Sequence, residues 1–295
     1  MARYGNSRIE DRRRLKRLAY TRNTRVFRKM LTYFDKRPVI IAEGDSWFAY
    51  PPKNFIGKAP ANIMDHIKKR TRKKANMLRL EVSGDEAVDM LQGGQKRKMV
   101  NLMKEFGGRV DVLLFSGGGN DIVGKGDMED LLNTYQAGFT VEQCIHQQNL
   151  EKKVAEIKNA YMTLLDIRNQ YSPDTVIITH CYDYPFPSDT AGRFLLGLIR
   201  TGPWMKPFMD AKKIKDKDLQ RGISIYLIDA MYKVLQDIEV DAAANGKFKV
   251  VKTIGTLPNE SDWQNEIHPT RRGFGLVAEK IYNEMLNHIS GLPRW

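Results

Sequence analysis

The sequence predicts an α/β fold, a three-layer α/β/α domain built around a central parallel sheet of five strands. Five short runs rich in Val, Ile and Leu have the length and composition of buried strands. Longer amphipathic stretches separate these runs, and such alternation predicts right-handed crossovers with helices on both faces of the sheet. The predicted strands are residues 38–43, 78–83, 110–116, 175–180 and 248–252.

The stretches between and after the strands have the spacing of amphipathic helices. In one of them Val154, Ile157 and Tyr161 recur three or four positions apart, which places them on one helix face. Another contains the pair Gly93-Gly94, which predicts an interruption. The predicted helices cover residues 63–74, 87–106, 141–170, 223–244 and 272–289.

Composition places the chain among ordinary globular proteins, since its 295 residues are 42% hydrophobic and 28% charged. No run approaches the roughly 18–20 apolar residues of a membrane span, and no apolar run follows the basic N-terminus as in a secretory signal. Two cysteines, Cys144 and Cys181, exclude a disulfide framework and a Cys-rich zinc site. We therefore expect a cytoplasmic location, with peripheral membrane association as an alternative.

Positive charge is concentrated at the N-terminus. The formal net charge is +13, and residues 1–36 contribute +9 of it through twelve Lys and Arg against three acidic residues. We interpret residues 1–36 as a basic helical arm and residues 37–295 as the main domain. Such an arm favours an anionic membrane surface, nucleic acid or a partner chain. The alternative is a helix that packs on its own domain and keeps its charges in water.

Polar and glycine-rich residues follow every predicted strand. In open parallel sheets ligands bind beyond the carboxyl ends of the strands, so these positions predict a single site at one edge. The segments concerned are Gly44-Asp45-Ser46-Trp47, Gly84-Asp85-Glu86, residues 117–121, residues 181–185 and residues 262–269.

A nucleophile and its base can be chosen from these segments. Ser46 needs a group that removes its proton, and His268, in a loop just before a helix, is the best base available. Acyl transfer also needs donors for the developing oxyanion. The Ser46 N–H, the Gly84 N–H and the side-chain amide of Asn120 are the candidates.

The four blocks Gly-Asp-Ser at 44–46, Gly84, Gly-Gly-Asn-Asp at 118–121 and His-Pro at 268–269 resemble those of the SGNH (GDSL-type) hydrolases. The resemblance spans residues 40–270 and leaves out the N-terminal arm. It implies a flavodoxin-like sandwich, ester substrates and no metal or cofactor. It also implies Ser46 as nucleophile, His268 as base, and Gly84 and Asn120 as oxyanion donors.

One position departs from that family. The family usually has an Asp three residues before the His, whereas this chain has Asn265. An amide can accept a hydrogen bond from an imidazole but does not stabilise imidazolium as a carboxylate does. We favour Asp262 or Glu266 as the acid that supplies the charge. A Ser–His dyad oriented by a backbone carbonyl is the alternative.

Two further features concern the substrate. Asp45, Trp47, His180, Tyr182 and Asp183 are candidate pocket residues, with a purely structural role as the alternative. The connection 184–222 mixes Pro, Gly and aromatic residues with Lys and Arg. A connection of this length predicts a lid insertion, or otherwise an excursion that packs on the core.

Together these features predict a serine esterase or lipase that hydrolyses carboxylic esters. The basic surface and the lid candidate favour a phospholipid or lysophospholipid, whereas a polar pocket favours an O-acetylated glycan. The alternative is a hydrolase scaffold that has lost catalysis and binds a polyanion such as nucleic acid. The oligomeric state stays open.

Overall fold

A central sheet of five parallel strands organises the computed structural model, which describes residues 2–50, 62–124, 127–190, 192–194 and 199–294. In chain order the strands are β1 (Val39–Gly44), β2 (Asn76–Arg79), β3 (Val112–Ser116), β4 (Val176–His180), β5 (Gly192–Phe194), β6 (Ile199–Thr201) and β7 (Phe248–Val251). The large sheet has the order β2-β1-β3-β4-β7, and all its neighbours are parallel. β5 and β6 form an antiparallel hairpin. The predicted fold class is confirmed.

Helices cover both faces of the sheet. They are α1 (Ala2–Arg17), α2 (Thr24–Tyr33), α3 (Ser46–Ala49), α4 (Ile63–Arg70), α5 (Ala87–Met90), α6 (Gly93–Phe106), α7 (Gly119–Val123), α8 (Asp127–Leu131), α9 (Gln147–Tyr171), α10 (Lys206–Ala211), α11 (Lys217–Glu239) and α12 (Arg271–His288). α4 and α12 pack together in one layer, and α9 packs against α5, α6 and α11 in the other. The predicted stretch 87–106 is divided just before Gly93, where the glycine pair predicts an interruption.

Burial on both faces explains the apolar strand sequences. Every residue of β1, β2 and β3 is buried, and Ile40 of β1 lies opposite Val112 of β3. A strand covered on both sides has no solvent face, so it reads as a continuous apolar run and does not alternate. β2 begins and ends earlier than the predicted 78–83, although the Leu80 N–H still donates to the Ala42 carbonyl at 2.8 Å.

The basic N-terminal segment packs against the sheet. The Thr21 N–H donates to the Met77 carbonyl at 2.9 Å, and the Thr21 carbonyl accepts the Arg79 N–H at 2.9 Å, so this residue extends the edge at β2. Leu15 and Phe27 are fully buried. Apolar residues of this segment therefore join the core of the domain. Among its cations, Arg22 is half-buried against the Glu81 carboxylate, whereas Arg12, Arg13 and Arg14 are exposed.

The predicted insertion 184–222 contains the β5–β6 hairpin, α10 and the start of α11. Residues 191 and 195–198 of this insertion lie outside the described part of the chain.

Within the described ranges, none of the helices combines the length and the apolar character that crossing a bilayer requires.

Candidate active site

Ser46 stands at the sharp turn between β1 and α3. The turn needs Gly44, because a Cβ there would lie 2.7 Å from the Ser116 carbonyl oxygen of β3. The Asp45 carboxylate caps α3 by accepting the Trp47 backbone N–H at 3.0 Å. Ser46 is thus the first residue of a helix, where backbone N–H groups have no partner within the helix.

His268 reaches Ser46 from the loop between β7 and α12. The Trp47 indole N–H donates to the Ile267 carbonyl at 3.1 Å and ties this loop to α3. The His268 Nε2 atom lies 2.8 Å from the Ser46 hydroxyl oxygen. Two residues that are 222 positions apart in the chain therefore form the hydrogen bond that proton transfer requires.

The imidazole of His268 is buried between aromatic rings. The Tyr50 ring stacks on it with centroids 4.1 Å apart, and the Trp204 ring meets it edge-on at 5.3 Å. Burial lowers the pKa of His268 to about 3, because the charged form loses its hydration. The ring is therefore neutral near pH 7 and can accept a proton.

Asn265 is the partner of the second ring nitrogen. The His268 Nδ1 atom lies 3.1 Å from Asn265 Oδ1. The same oxygen accepts the backbone N–H groups of Ile267 at 3.2 Å and His268 at 2.9 Å. The Asn265 amide thus occupies the position beside the imidazole where the sequence analysis expects a carboxylate.

The expectation that Asp262 orients His268 is wrong. Its carboxylate accepts the Asn259 backbone N–H at 3.2 Å and lies 3.4 Å from an Arg272 guanidinium nitrogen. Asp262 closes the short turn before the loop, and its two carboxylate oxygens contact Asn259 and Arg272.

The expectation that Glu266 supplies the acid is also wrong, since its carboxylate points toward the insertion 184–222. It accepts the backbone N–H groups of Met205 and Lys206, each at 2.7 Å, together with those of Trp204 and Ser188. Burial raises the pKa of Glu266, while these backbone donors oppose the rise. Glu266 therefore fastens the insertion to the loop that carries His268.

Asn120 and Ser46 line the same pocket, whereas Gly84 does not belong to its described lining. The Asn120 amide donates one hydrogen to the Asp85 carbonyl at 2.9 Å, which leaves the second available to a ligand. Gly84 is exposed and does not contribute to the described lining of this pocket. Its loop is nevertheless tied to Asn120 through the neighbouring Asp85.

His180, Tyr182 and Asp45 belong to a closed hydrogen-bond network behind Ser46. The Tyr182 backbone N–H donates to His180 Nδ1 at 3.1 Å, and His180 Nε2 donates to the Ser116 hydroxyl at 2.9 Å. Ser116 in turn donates to Asp45 at 2.8 Å, and the Tyr182 hydroxyl donates to the other Asp45 oxygen. Burial lowers the pKa of His180 to about 3 and raises that of Asp45 to about 6. The network supports the turn that carries Ser46.

The pocket in front of Ser46 is small and mostly apolar, with a cavity volume of about 30 Å³. Four of the five pocket candidates, Asp45, Trp47, Tyr182 and Asp183, line it, and His180 does not belong to its described lining. The Asp183 carboxylate also accepts the backbone N–H groups of Gly255 and Leu257. Other lining residues are Val123, Ile228, Trp263 and Ile267.

The sequence does not predict that Tyr50, Asn265 and Trp204 together surround the His268 ring. Tyr50 lies one helical turn after Ser46, a spacing that could have drawn attention to it. Asn265 stands where the family usually has an Asp, but its amide carries no charge, so the sequence favours the neighbouring carboxylates. No sequence signal joins Trp204 to His268, because the hydrogen bonds of Glu266 bring it there.

Comparison with known proteins shows the fold. No family model matches the sequence, and no curated protein matches it. An extracellular lipase from Streptomyces rimosus matches the structure with TM-score 0.50 and 15% identity, over 85% of this chain and 98% of the lipase. The lipase Lip_vut3 from a goat rumen metagenome matches with TM-score 0.52 and 15% identity, over 87% and 99%. The chain therefore has the α/β/α fold that its resemblance to the SGNH hydrolases implies.

Proposed function

We propose that this protein hydrolyses carboxylic esters through Ser46 and His268. The observation that carries the proposal is the hydrogen bond of 2.8 Å between Ser46 Oγ and His268 Nε2. A serine hydroxyl is a weak nucleophile until a neutral base takes its proton. Burial holds His268 in the neutral form that can do so.

The mechanism follows from the positions of the atoms. Ser46 Oγ attacks the acyl carbon while His268 Nε2 takes its proton. The imidazolium returns this proton to the leaving alcohol, and an acyl-enzyme remains on Ser46. A water molecule, deprotonated by His268 Nε2, then attacks the acyl carbon. The bond to Ser46 Oγ breaks, the imidazolium returns the proton to this oxygen, and the acid leaves.

The oxyanion of the tetrahedral intermediate needs fixed donors. The second amide hydrogen of Asn120 and the Ser46 N–H at the start of α3 are the nearest candidates. Gly84 is the third donor that we propose, on the loop that Asn120 ties to its own turn through Asp85. Removing one such donor typically costs about 10²–10³ in kcat.

The pocket favours a short acyl chain. Trp47, Val123, Ile228 and Ile267 surround a cavity of about 30 Å³ beside Ser46. Apolar walls at this distance suit an acetyl or butyryl group, and a long lipid chain needs more room than these walls provide. An O-acetylated glycan is therefore favoured over a phospholipid as the substrate class.

The test is hydrolysis of p-nitrophenyl acetate, butyrate and decanoate and of lysophosphatidylcholine by wild type and Ser46→Ala. Acetate and butyrate should be preferred, and Ser46→Ala should lower kcat by about 10³-fold or more. The control is Ser290→Ala, which alters an exposed serine after α12. Equal turnover by wild type and Ser46→Ala would refute the assignment of Ser46 as the nucleophile. Preference for decanoate or the lysolipid would refute the proposed preference for a short acyl chain.

Binding of nucleic acid is a second candidate function, favoured by the exposed cations of α1. Leu15 is fully buried, so the apolar side of this helix is used within the domain and is not free to enter a bilayer. The charged residues remain exposed and can meet phosphates. They are Arg12, Arg13, Arg14, Lys16 and Arg17.

Retention of duplex DNA at 50 and 200 mM salt tests this candidate. Wild type should bind more weakly at the higher salt, and charge reversal of Arg12, Arg13 and Arg14 should abolish binding. Absence of DNA binding at 50 mM salt would exclude nucleic acid as the ligand. Binding to anionic vesicles but not to DNA would indicate that the cations of α1 contact membranes.

A further inference from the structure

We propose that Asn265 is a positioning residue that sets the imidazole of His268 without supplying charge, and that Tyr50 holds Asn265 in place. This inference rests on the proposed function of Ser46 and His268. In this arrangement a neutral amide, held by a buried tyrosine, takes the place of the acid in a Ser–His–acid triad.

The orientation of the Asn265 amide follows from its backbone neighbours. The atom that faces His268 also receives the backbone N–H groups of Ile267 at 3.2 Å and His268 at 2.9 Å. An amide nitrogen cannot accept these hydrogens, so this atom is the oxygen. The loop itself therefore decides which end of the amide faces the imidazole.

This orientation in turn selects the tautomer of His268. Oδ1 of Asn265 has no hydrogen to donate, so the 3.1 Å contact requires a proton on His268 Nδ1. The lone pair of a neutral imidazole then lies on Nε2, which is 2.8 Å from the Ser46 hydroxyl. The arrangement needed for a general base is thus set by hydrogen bonds alone.

Tyr50 contacts both residues. The Asn265 Nδ2 donates to the Tyr50 hydroxyl at 3.3 Å, and the Tyr50 ring stacks on the His268 ring with an interplanar angle of 20°. Tyr50 is held in turn by its backbone N–H, which donates to the Ser46 carbonyl at 2.6 Å. Burial raises the pKa of Tyr50, which keeps its hydroxyl protonated.

No carboxylate hydrogen-bonds the His268 ring within the described ranges. α3 and the residue after it bring the Ser46 hydroxyl and the Tyr50 ring, the loop brings the Asn265 amide, and the insertion brings the Trp204 ring. The Glu266 carboxylate points to the insertion. The imidazolium formed during acylation is therefore stabilised by the amide oxygen and by the face of Tyr50.

The decisive variants are Asn265→Asp and Asn265→Ala, assayed with p-nitrophenyl acetate from pH 3 to 9. Asn265→Ala should lower kcat by about 10²-fold with little change in KM, because it removes the acceptor that fixes the tautomer. Asn265→Asp keeps an acceptor oxygen and adds a charge beside Nδ1. Unlike Asn265→Ala, it should keep kcat at pH 8 near the wild-type value. It should also move the acidic limb of kcat/KM upward by about one pH unit or more.

Two companion variants separate positioning from folding. Tyr50→Phe keeps the stacked ring and removes the hydroxyl, so kcat should fall several-fold while the melting temperature changes little. Asn101→Asp, at an exposed site on α6, controls for the added charge and should match wild type. An unchanged acidic limb in Asn265→Asp, or wild-type kcat in Asn265→Ala, would overturn the inference.

Imidazole ¹⁵N NMR provides a readout that does not need turnover. Wild type should show the Nδ1–H tautomer of His268. In Asn265→Asp the His268 imidazole should titrate at a higher pH than in wild type. The Nε2–H tautomer in wild type would overturn the inference. Loss of Ser46-dependent hydrolysis in wild type would instead contradict the proposed function, so the two failures are distinguishable.

Discussion

The protonation of His268 decides the chemistry at the scale of single residues. Its imidazole is buried among Tyr50, Trp204 and Asn265, and burial lowers its pKa to about 3. The base is therefore neutral across the physiological range. Among the described residues no carboxylate hydrogen-bonds this ring, so the imidazolium of the proposed acylation is less favoured than in a charged triad.

The pH dependence of wild type follows from this burial. A general base works in its unprotonated form, so a folded-state pKa below the usual value of about 6.5 keeps His268 active as the pH falls. The acidic limb of kcat/KM should accordingly lie below pH 5. Initial rates with p-nitrophenyl acetate from pH 4 to 8 measure it, and an acidic limb at or above pH 6.5 would contradict the burial of the base.

The sequence was sufficient to predict that Ser46 and His268 meet, but not that Asn265 contacts the second ring nitrogen of His268. Both residues follow strands, and the ends of parallel strands share one edge. Asp262 and Glu266 were preferred to Asn265 because charge stabilises imidazolium. The structure differs because backbone N–H groups within the loop and in the insertion take up both carboxylates, and a sequence does not show such contacts.

At the scale of elements, Glu266 couples the insertion to the loop that carries His268. Four backbone N–H groups of residues 188 and 204–206 point at its carboxylate. The same segment carries Trp204, whose ring meets His268. The insertion therefore forms one wall around the base.

Replacing Glu266 with Gln should destabilise this wall. The amide offers one acceptor oxygen where the carboxylate offers two, so buried N–H groups lose their partner at a cost of about 2–3 kcal/mol. Urea unfolding should report this loss, and kcat should fall because Trp204 moves from His268. Glu260→Gln, at an exposed position, is the control. A variant with wild-type stability and kcat would show that the insertion is held by other contacts.

The strands and helices could be predicted because their periodicity is a local property. Buried parallel strands read as apolar runs, and Gly93 marks the break between α5 and α6. The packing of α2 was harder to predict, since Phe27 and Met30 fit a surface helix with an apolar stripe as well as a core helix. The high density of Lys and Arg in this segment favours the interpretation as a surface helix.

At the scale of the whole molecule, the N-terminal segment belongs to the same core as the sheet. Phe27 is fully buried, and its ring meets Phe106 of α6 edge-on at 5.2 Å. Thr21 extends the sheet beyond β2. The domain should therefore depend on this segment for its stability.

Phe27→Ala should lower the free energy of unfolding by about 3–5 kcal/mol, because it leaves a cavity in the core. Urea denaturation measures the change, and Val26→Ala on the less buried side of α2 is the comparison. A loss below about 1 kcal/mol for Phe27→Ala would indicate a segment that is separate from the domain.

Labelling with a fluorophosphonate, followed by mass spectrometry of the peptides, tests the central claim most directly. The account predicts a single adduct on Ser46, no adduct there in Ser46→Ala, and labelling slowed by about 10²-fold or more in His268→Gln. Absence of an adduct in folded wild type, or an equal rate in His268→Gln, would contradict it.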